Sequence, residues 1–169
     1  VTLSGRERVQ QDADARGIQI EFVSRPPAGS LEEAAGLLGI APASIVKTLV
    51  VKRHDGTFLF ALVPGDRQIS WAKLRAAVGV NKLKLPEASV ALEATGYARG
   101  TIVPLGSTTA WPVYADSRIA DRIALGAGEA GLSAFVSADA LIAGLGATVA
   151  DITEANAVAA NTSEANASD

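Results

Sequence analysis

The 169-residue sequence contains no cysteine and a single histidine, His54. Metal sites built on thiolates or imidazoles are thereby excluded, as are a cysteine nucleophile and any catalytic triad that does not use His54. Absence of cysteine fits a cytoplasmic protein, where disulfides are rare. No apolar run approaches the roughly 20 residues that a membrane span needs. The first residues are polar and charged, unlike the apolar core of a signal peptide. A soluble, cytoplasmic, single-domain protein is expected, long enough to bury more than about two thirds of its unfolded surface without a disulfide or metal. Acidic and basic residues nearly balance, at a net charge of −3, but their distribution is uneven. Lys47 to Lys84 holds eight basic residues against Asp55 and Asp66, while Asp116 onward holds eight acids against Arg118 and Arg122. Such a dipolar chain can offer a basic face to phosphates while remaining acidic overall.

The most β-branched run is Ile45-Val46-Lys47-Thr48-Leu49-Val50-Val51-Lys52-Arg53, which predicts a strand near the middle of a sheet. Alternation puts Ile45, Lys47, Leu49 and Val51 on one face and Val46, Thr48, Val50 and Lys52 on the other. Lys47 therefore shares its face with apolar neighbours. It must snorkel to an edge, find an anionic partner, or line a cavity whose ligand brings negative charge.

Around this strand, capping-box patterns at Ser4 to Glu7 and Ser30 to Glu33 start two helices, the first closing at Gly17 and the second at Gly39. Ile18, Ile20 and Phe22 alternate with polar residues as a strand between them. His54 to Thr57 is a turn leading into a strand over 58–63, so His54 reads as a solvated loop residue. Ser70 caps a helix through Val78 that buries Trp71, Leu74 and Val78. A short helix is expected over 86–94, strands over 111–115, 122–125 and 132–136, and a last helix from Ser137 to about Leu145. From residue 153 onward large apolar residues are almost absent, so the domain is set at 1–152 and 153–169 is expected to be a flexible tail.

Two motifs are set aside. Gly126 to Gly131 has dinucleotide-fingerprint spacing, but Leu132 to Val136 reads as a strand where the fingerprint requires a helix, making the glycines a hairpin loop. Ser44-Ile45-Val46-Lys47 matches the Ser-x-x-Lys of serine acylases, but a strand puts residues three apart on opposite faces. Gly96 to Gly106, with three glycines and a proline, is a shaped loop whose backbone can approach a ligand closely.

Lys47 within Ile45-Val46-Lys47-Thr48-Leu49, the loop Gly100-Thr101-Ile102-Val103-Pro104, and the turn Gly128-Glu129-Ala130-Gly131-Leu132 followed by Asp139 together resemble the YbaK/EbsC family of aminoacyl-tRNA editing domains. These are relatives of the insertion domain of bacterial prolyl-tRNA synthetase. The resemblance covers roughly residues 1 to 150. Many members carry a glycine pair and a serine inside the loop, where Arg99-Gly100 and Thr101-Ile102-Val103 stand here, and the bulkier residues bear on which aminoacyl group fits.

The resemblance implies an α/β fold with a curved, barrel-like mixed sheet flanked by helices. It also implies a freestanding deacylase that hydrolyses the ester of a mischarged tRNA, Cys-tRNA(Pro) or Ala-tRNA(Pro) foremost. Such an ester is already activated, so backbone donors and an admitted water suffice without a metal or cofactor. Lys47, Gly100 and Asp139 are the expected catalytic residues. Lys47 acts as a phosphate anchor, oxyanion stabiliser or base, and Asp139 holds substrate, orients Lys47 or simply favours the first turn of its helix. Thr48, Thr101, Ile102, Val103, Pro104 and Gly128 are expected to bind substrate, and Lys73, Arg75, Lys82 and Lys84 to meet tRNA phosphates. Prolyl-tRNA synthetase is the expected protein partner, with no membrane or DNA involved. The competing class is a module of the same fold that captures an aminoacyl or nucleotide-like ligand without hydrolysis.

Overall fold

The computed structural model describes residues 2–156. Helix α1 (Gly5–Ala15) starts at Ser4, whose hydroxyl accepts from Glu7 N while the Glu7 carboxylate accepts from Ser4 N. This is the full reciprocal cap. At α2 (Leu31–Leu38) Ser30 accepts from Glu33 N, but the Glu33 carboxylate accepts from Gly29 N instead, so only half of the box forms. Ser70 and Ser137 cap α3 (Trp71–Val78) and α5 (Ala138–Leu145), whereas α4 (Ala88–Thr95) begins without a side-chain cap. No helix among the described residues is long and apolar enough to cross a membrane.

The strands are β1 (Ile20–Ser24), β2 (Val46–Arg53), β3 (Phe58–Pro64), β4 (Arg67–Ile69), β5 (Leu83–Lys84), β6 (Val113–Asp116), β7 (Arg122–Gly126), β8 (Leu132–Ser137), β9 (Thr148–Ala150) and β10 (Thr153–Ala155). The largest sheet is mixed, in the order β5-β2-β3-β6-β9, with β6 parallel to both of its neighbours. A second, antiparallel sheet runs β1-β8-β7, and β4 pairs with β10. The α/β architecture is as expected, and the sheets curve around a core without closing into one barrel. Glycines 128 and 131 lie in the β7–β8 hairpin loop, as the strand reading of Leu132 to Val136 requires.

Strand β2 divides the two cores as its alternation predicts. Val46 and Val50 pack with Phe60, Leu62, Ile123 and Leu141 in the larger cluster, and Val51 packs with Leu59, Leu74 and Ile152 in the smaller. The described chain departs from expectation at its end. Thr153 is fully buried and pairs with Ile69, so ordered structure continues past residue 152. Polar bonds hold it: its hydroxyl donates to the buried Asp116 carboxylate at 2.9 Å, and its backbone carbonyl accepts from Lys73. The rest of the expected tail, from residue 157, lies outside the described residues.

Candidate active site

Between Val46 and Val51, β2 is paired on one side only. Strand β3 covers one edge over this whole stretch. On the other edge β5 reaches only Lys52 and Arg53, and Ile45 makes an isolated bridge to Ala124 of β7. The gap left between the open β2 edge and the end of β7 is a cleft of about 380 Å³. Its floor is Ile45 to Thr48 and Ala124 to Gly126; α2 supplies Leu31, Ala34 and Leu38 from above, and Arg99, Gly100 and Ile102 close one side. Among the described residues no carboxylate lines it, while Lys47, Arg25 and Arg99 all do.

The Lys47 ammonium donates to the Arg67 carbonyl at 2.8 Å. Burial pushes it below the ordinary lysine value, and nearby Asp66 opposes that shift. An ammonium has three donors, so two remain for a ligand. The carbonyl it uses is itself well placed: Arg67 Nε donates to Thr153 Oγ1 at 2.7 Å, and that hydroxyl donates to the buried Asp116. Two further polar atoms on cleft residues, Thr48 Oγ1 and Arg25 Nε, are buried and make no protein hydrogen bond. Groups in that condition are satisfied by an ordered water or by a ligand.

The loop opposite is fixed from behind. Gly128 N donates to Thr101 O at 3.0 Å, and the buried Tyr97 hydroxyl donates to Leu105 O at 2.7 Å. Gly126 lets the loop approach, since a Cβ there would stand 2.8 Å from Ile102 O. Gly100 adopts φ +90, which favours glycine. Among the described residues the N–H groups of Gly100 and Ile102 donate to no protein acceptor, leaving donors of the kind that stabilise an oxyanion.

Of the residues expected from sequence, the cleft unites Lys47, Thr48, Gly100 and Ile102. Thr101 stands behind them, its carbonyl taken by Gly128 and its hydroxyl by Ala98 O. Val103 is buried in the larger core, and Pro104 lines a separate hollow with Trp111 and Leu145. Gly128 packs against Gly5 at the start of α1, at φ +84, and serves the framework rather than the cleft wall. Asp139 is exposed in the first turn of α5, outside the cleft lining. Lys73 is ion-paired with Asp151 at 3.0 Å, whereas Arg75, Lys82 and Lys84 line a second groove.

The cleft also brings in Arg25, Gly126 and the apolar face of α2, none of them a site residue expected from sequence, and Arg99, expected only as a bulky loop residue that bears on which aminoacyl group fits. Leu31, Ala34 and Leu38 do carry a helical spacing signal. Arg25 carries none, and its meeting with Arg99 has no local signature, because their convergence depends on the β1 to α2 connection and the loop meeting over β7.

The model of the aminoacyl-tRNA editing domain matches residues 25–143. A proline–tRNA ligase of Thermosipho africanus is 40% identical over 88 residues, which is 52% of this chain and 16% of the ligase. One of Geobacter sp. (strain M21) is 35% identical over 106 residues, or 63% of this chain and 18% of the ligase. The chain thus spans less than a fifth of these curated relatives. Among solved structures, a proposed trans-editing enzyme for prolyl tRNA synthetase superposes with a TM-score of 0.80 at 29% identity, covering 90% of this chain and 99% of that one. Every residue lining the cleft, from Arg25 to Ser133, falls within the matched segment, and the chain belongs to the aminoacyl-tRNA editing domain family.

Proposed function

We propose that the protein is a deacylase acting in trans, which hydrolyses the ester of a mischarged tRNA in the cytoplasm, with Cys-tRNA(Pro) or Ala-tRNA(Pro) as the foremost substrate. The observation that carries this reading is the pairing of a half-buried ammonium at the open β2 edge with free backbone donors across the cleft. An ester carbonyl held between them develops negative charge on oxygen when water adds to its carbon. In this reading Lys47 and the Gly100 and Ile102 N–H groups stabilise that charge, all three residues being part of the cleft lining. Collapse breaks the bond to the ribose oxygen, which takes up a proton while the water retains its oxygen on the released amino acid. In this reading Lys47 acts as a cation: its ammonium already donates to Arg67 O, and the neighbouring Asp66 opposes the downward shift that burial imposes.

Leu31, Ala34, Leu38, Ile45 and Ile102 give the cleft an apolar portion beside its three cations, which suits a small uncharged side chain such as that of Ala or Cys. Similarity to a proposed trans-editing enzyme over nearly that protein's whole length supports action apart from the synthetase, with prolyl-tRNA synthetase as the partner that hands over the tRNA. The test is deacylation of a panel of aminoacyl-tRNAs by wild type and Lys47→Ala. Removing one oxyanion donor of this kind costs about 10²–10³-fold in rate. Retained turnover in the variant eliminates Lys47 as the critical group. A folded wild type that hydrolyses no member of the panel is a ligand-binding module instead.

A further inference from the structure

At the far end of β2 a groove of about 510 Å³ lies between the β2–β3 turn and the segment from α3 to β5. Lys52, Arg53, Arg75, Lys82 and Lys84 line it, and among the described residues no acidic one does. Asp55, the acid nearest in sequence, accepts from Thr57 N and Thr57 Oγ1 instead. None of the five cations makes an ion pair among the described residues, whereas Arg16, Lys73, Arg118 and Arg122 all do. Lys52 and Lys84 stand directly opposite one another on antiparallel strands. Like charges in that register destabilise a sheet, and an anion bound between them would offset that cost.

We propose that this groove binds the phosphate backbone of the RNA that carries the ester, as a site separate from the hydrolytic cleft. The inference rests on the deacylase reading for the identity of the RNA. Lys47 and Lys52 are five residues apart on an extended strand, which is roughly 17 Å at ~3.4 Å per residue. The groove therefore meets nucleotides set back from the aminoacylated end. It supplies affinity for the RNA body without reading bases. Lys73 is not a member, since Asp151 and Thr153 O occupy its ammonium.

The test is binding of uncharged tRNA to wild type and to the triple variant Lys52→Gln, Arg75→Gln, Lys82→Gln across a salt series. Each phosphate contact contributes a slope of roughly 0.7–0.9 in log K against log [salt]. The variant is expected to lose about 10²-fold in affinity at 0.1 M salt and to show a slope shallower by roughly 2–3. Its thermal midpoint is expected to equal or exceed that of wild type, because cross-strand repulsion is relieved. In turnover, the loss on aminoacyl-tRNA is expected to exceed the loss on an aminoacyl ester of adenosine. Unchanged affinity and slope overturn the proposal, as does failure of wild type to bind tRNA at low salt. Because uncharged tRNA is the probe, the two readings separate. A wild type that binds in a groove-dependent way but hydrolyses nothing sinks the deacylase alone, and one that hydrolyses with an unaltered triple variant sinks the groove alone.

Discussion

Gly126→Ala isolates the contribution of loop placement to the cleft. The added Cβ would lie 2.8 Å from Ile102 O and 3.2 Å from Thr101 O. Carbon–oxygen contacts relax at about 3.3–3.6 Å, so the loop must retreat by roughly 0.5–0.8 Å. The obstruction is backbone on both sides, and no flexible side chain can swing away. Overpacking of this kind costs about 1–3 kcal/mol of stability. Misplacing a catalytic group by 1 Å costs about 10²-fold, so a shift of this size predicts a loss of roughly 10- to 40-fold in kcat/KM.

Urea unfolding gives the stability change and single-turnover deacylation gives the rate. Gly36→Ala is the control, because Gly36 lies within α2, has nothing within 4 Å of a built Cβ, and does not line the cleft. There the exchange is expected to stabilise by about 0.5–1 kcal/mol through helix propensity. A Gly126→Ala protein with the expected stability loss but turnover within twofold of wild type would show that the Gly100 to Pro104 loop is not part of the proposed catalytic apparatus.

Two further outcomes follow from buried polar groups. Burial depresses the Lys47 pKa below its ordinary 10.5, so between the two values the unfolded chain holds more protons, and stability rises with pH across that window. Lys47→Met is expected to abolish this component while raising stability at neutral pH, and urea midpoints of the two proteins that run parallel from pH 7 to 10.5 would contradict it. Tyr97→Phe deprives the buried Leu105 carbonyl of its 2.7 Å donor, at a cost of about 1–2 kcal/mol. Unfolding midpoints check it, and a loss below about 0.5 kcal/mol would show that the carbonyl finds another donor.

The elements that build the cleft were legible wherever one local rule governed them. Serine caps at residues 4, 30, 70 and 137 and the β-branched run at Val46 to Val51 set their own conformations. The three-residue β4, β9 and β10 and the two-residue β5 were not seen, because strands this short carry too little alternation to register. Thr153 shows the physical reason most clearly. The residues after it offer little apolar area, so composition reads as a tail, yet the buried carboxylate of Asp116 and the backbone of Ile69 hold it through polar bonds that depend on residues far away in sequence. The same limit applies to site residues. Lys47 was visible as a charge in an apolar run, whereas the role of Arg25 emerges only where β1, α2 and β7 meet.

The open edge of β2 joins stability and chemistry. A β-branched strand left unpaired from Val46 to Val51 is a template for edge-to-edge association, and this chain manages the hazard by covering the edge with α2 and the Gly100 to Pro104 loop. Those covers stand off from the strand, since Leu31 packs down beside Gly65, where a Cβ would meet its side chain at 2.8 Å, and Gly126 admits the loop on the far side. The space between is the cleft itself. A lysine at this edge also guards against pairing with another chain, so Lys47 answers two demands at once. Its replacement by an apolar residue therefore removes the cation from the site and exposes an unguarded edge. Lys47→Arg separates the two effects, because it restores the charged edge while its planar fork cannot reproduce the compact ammonium held on Arg67 O.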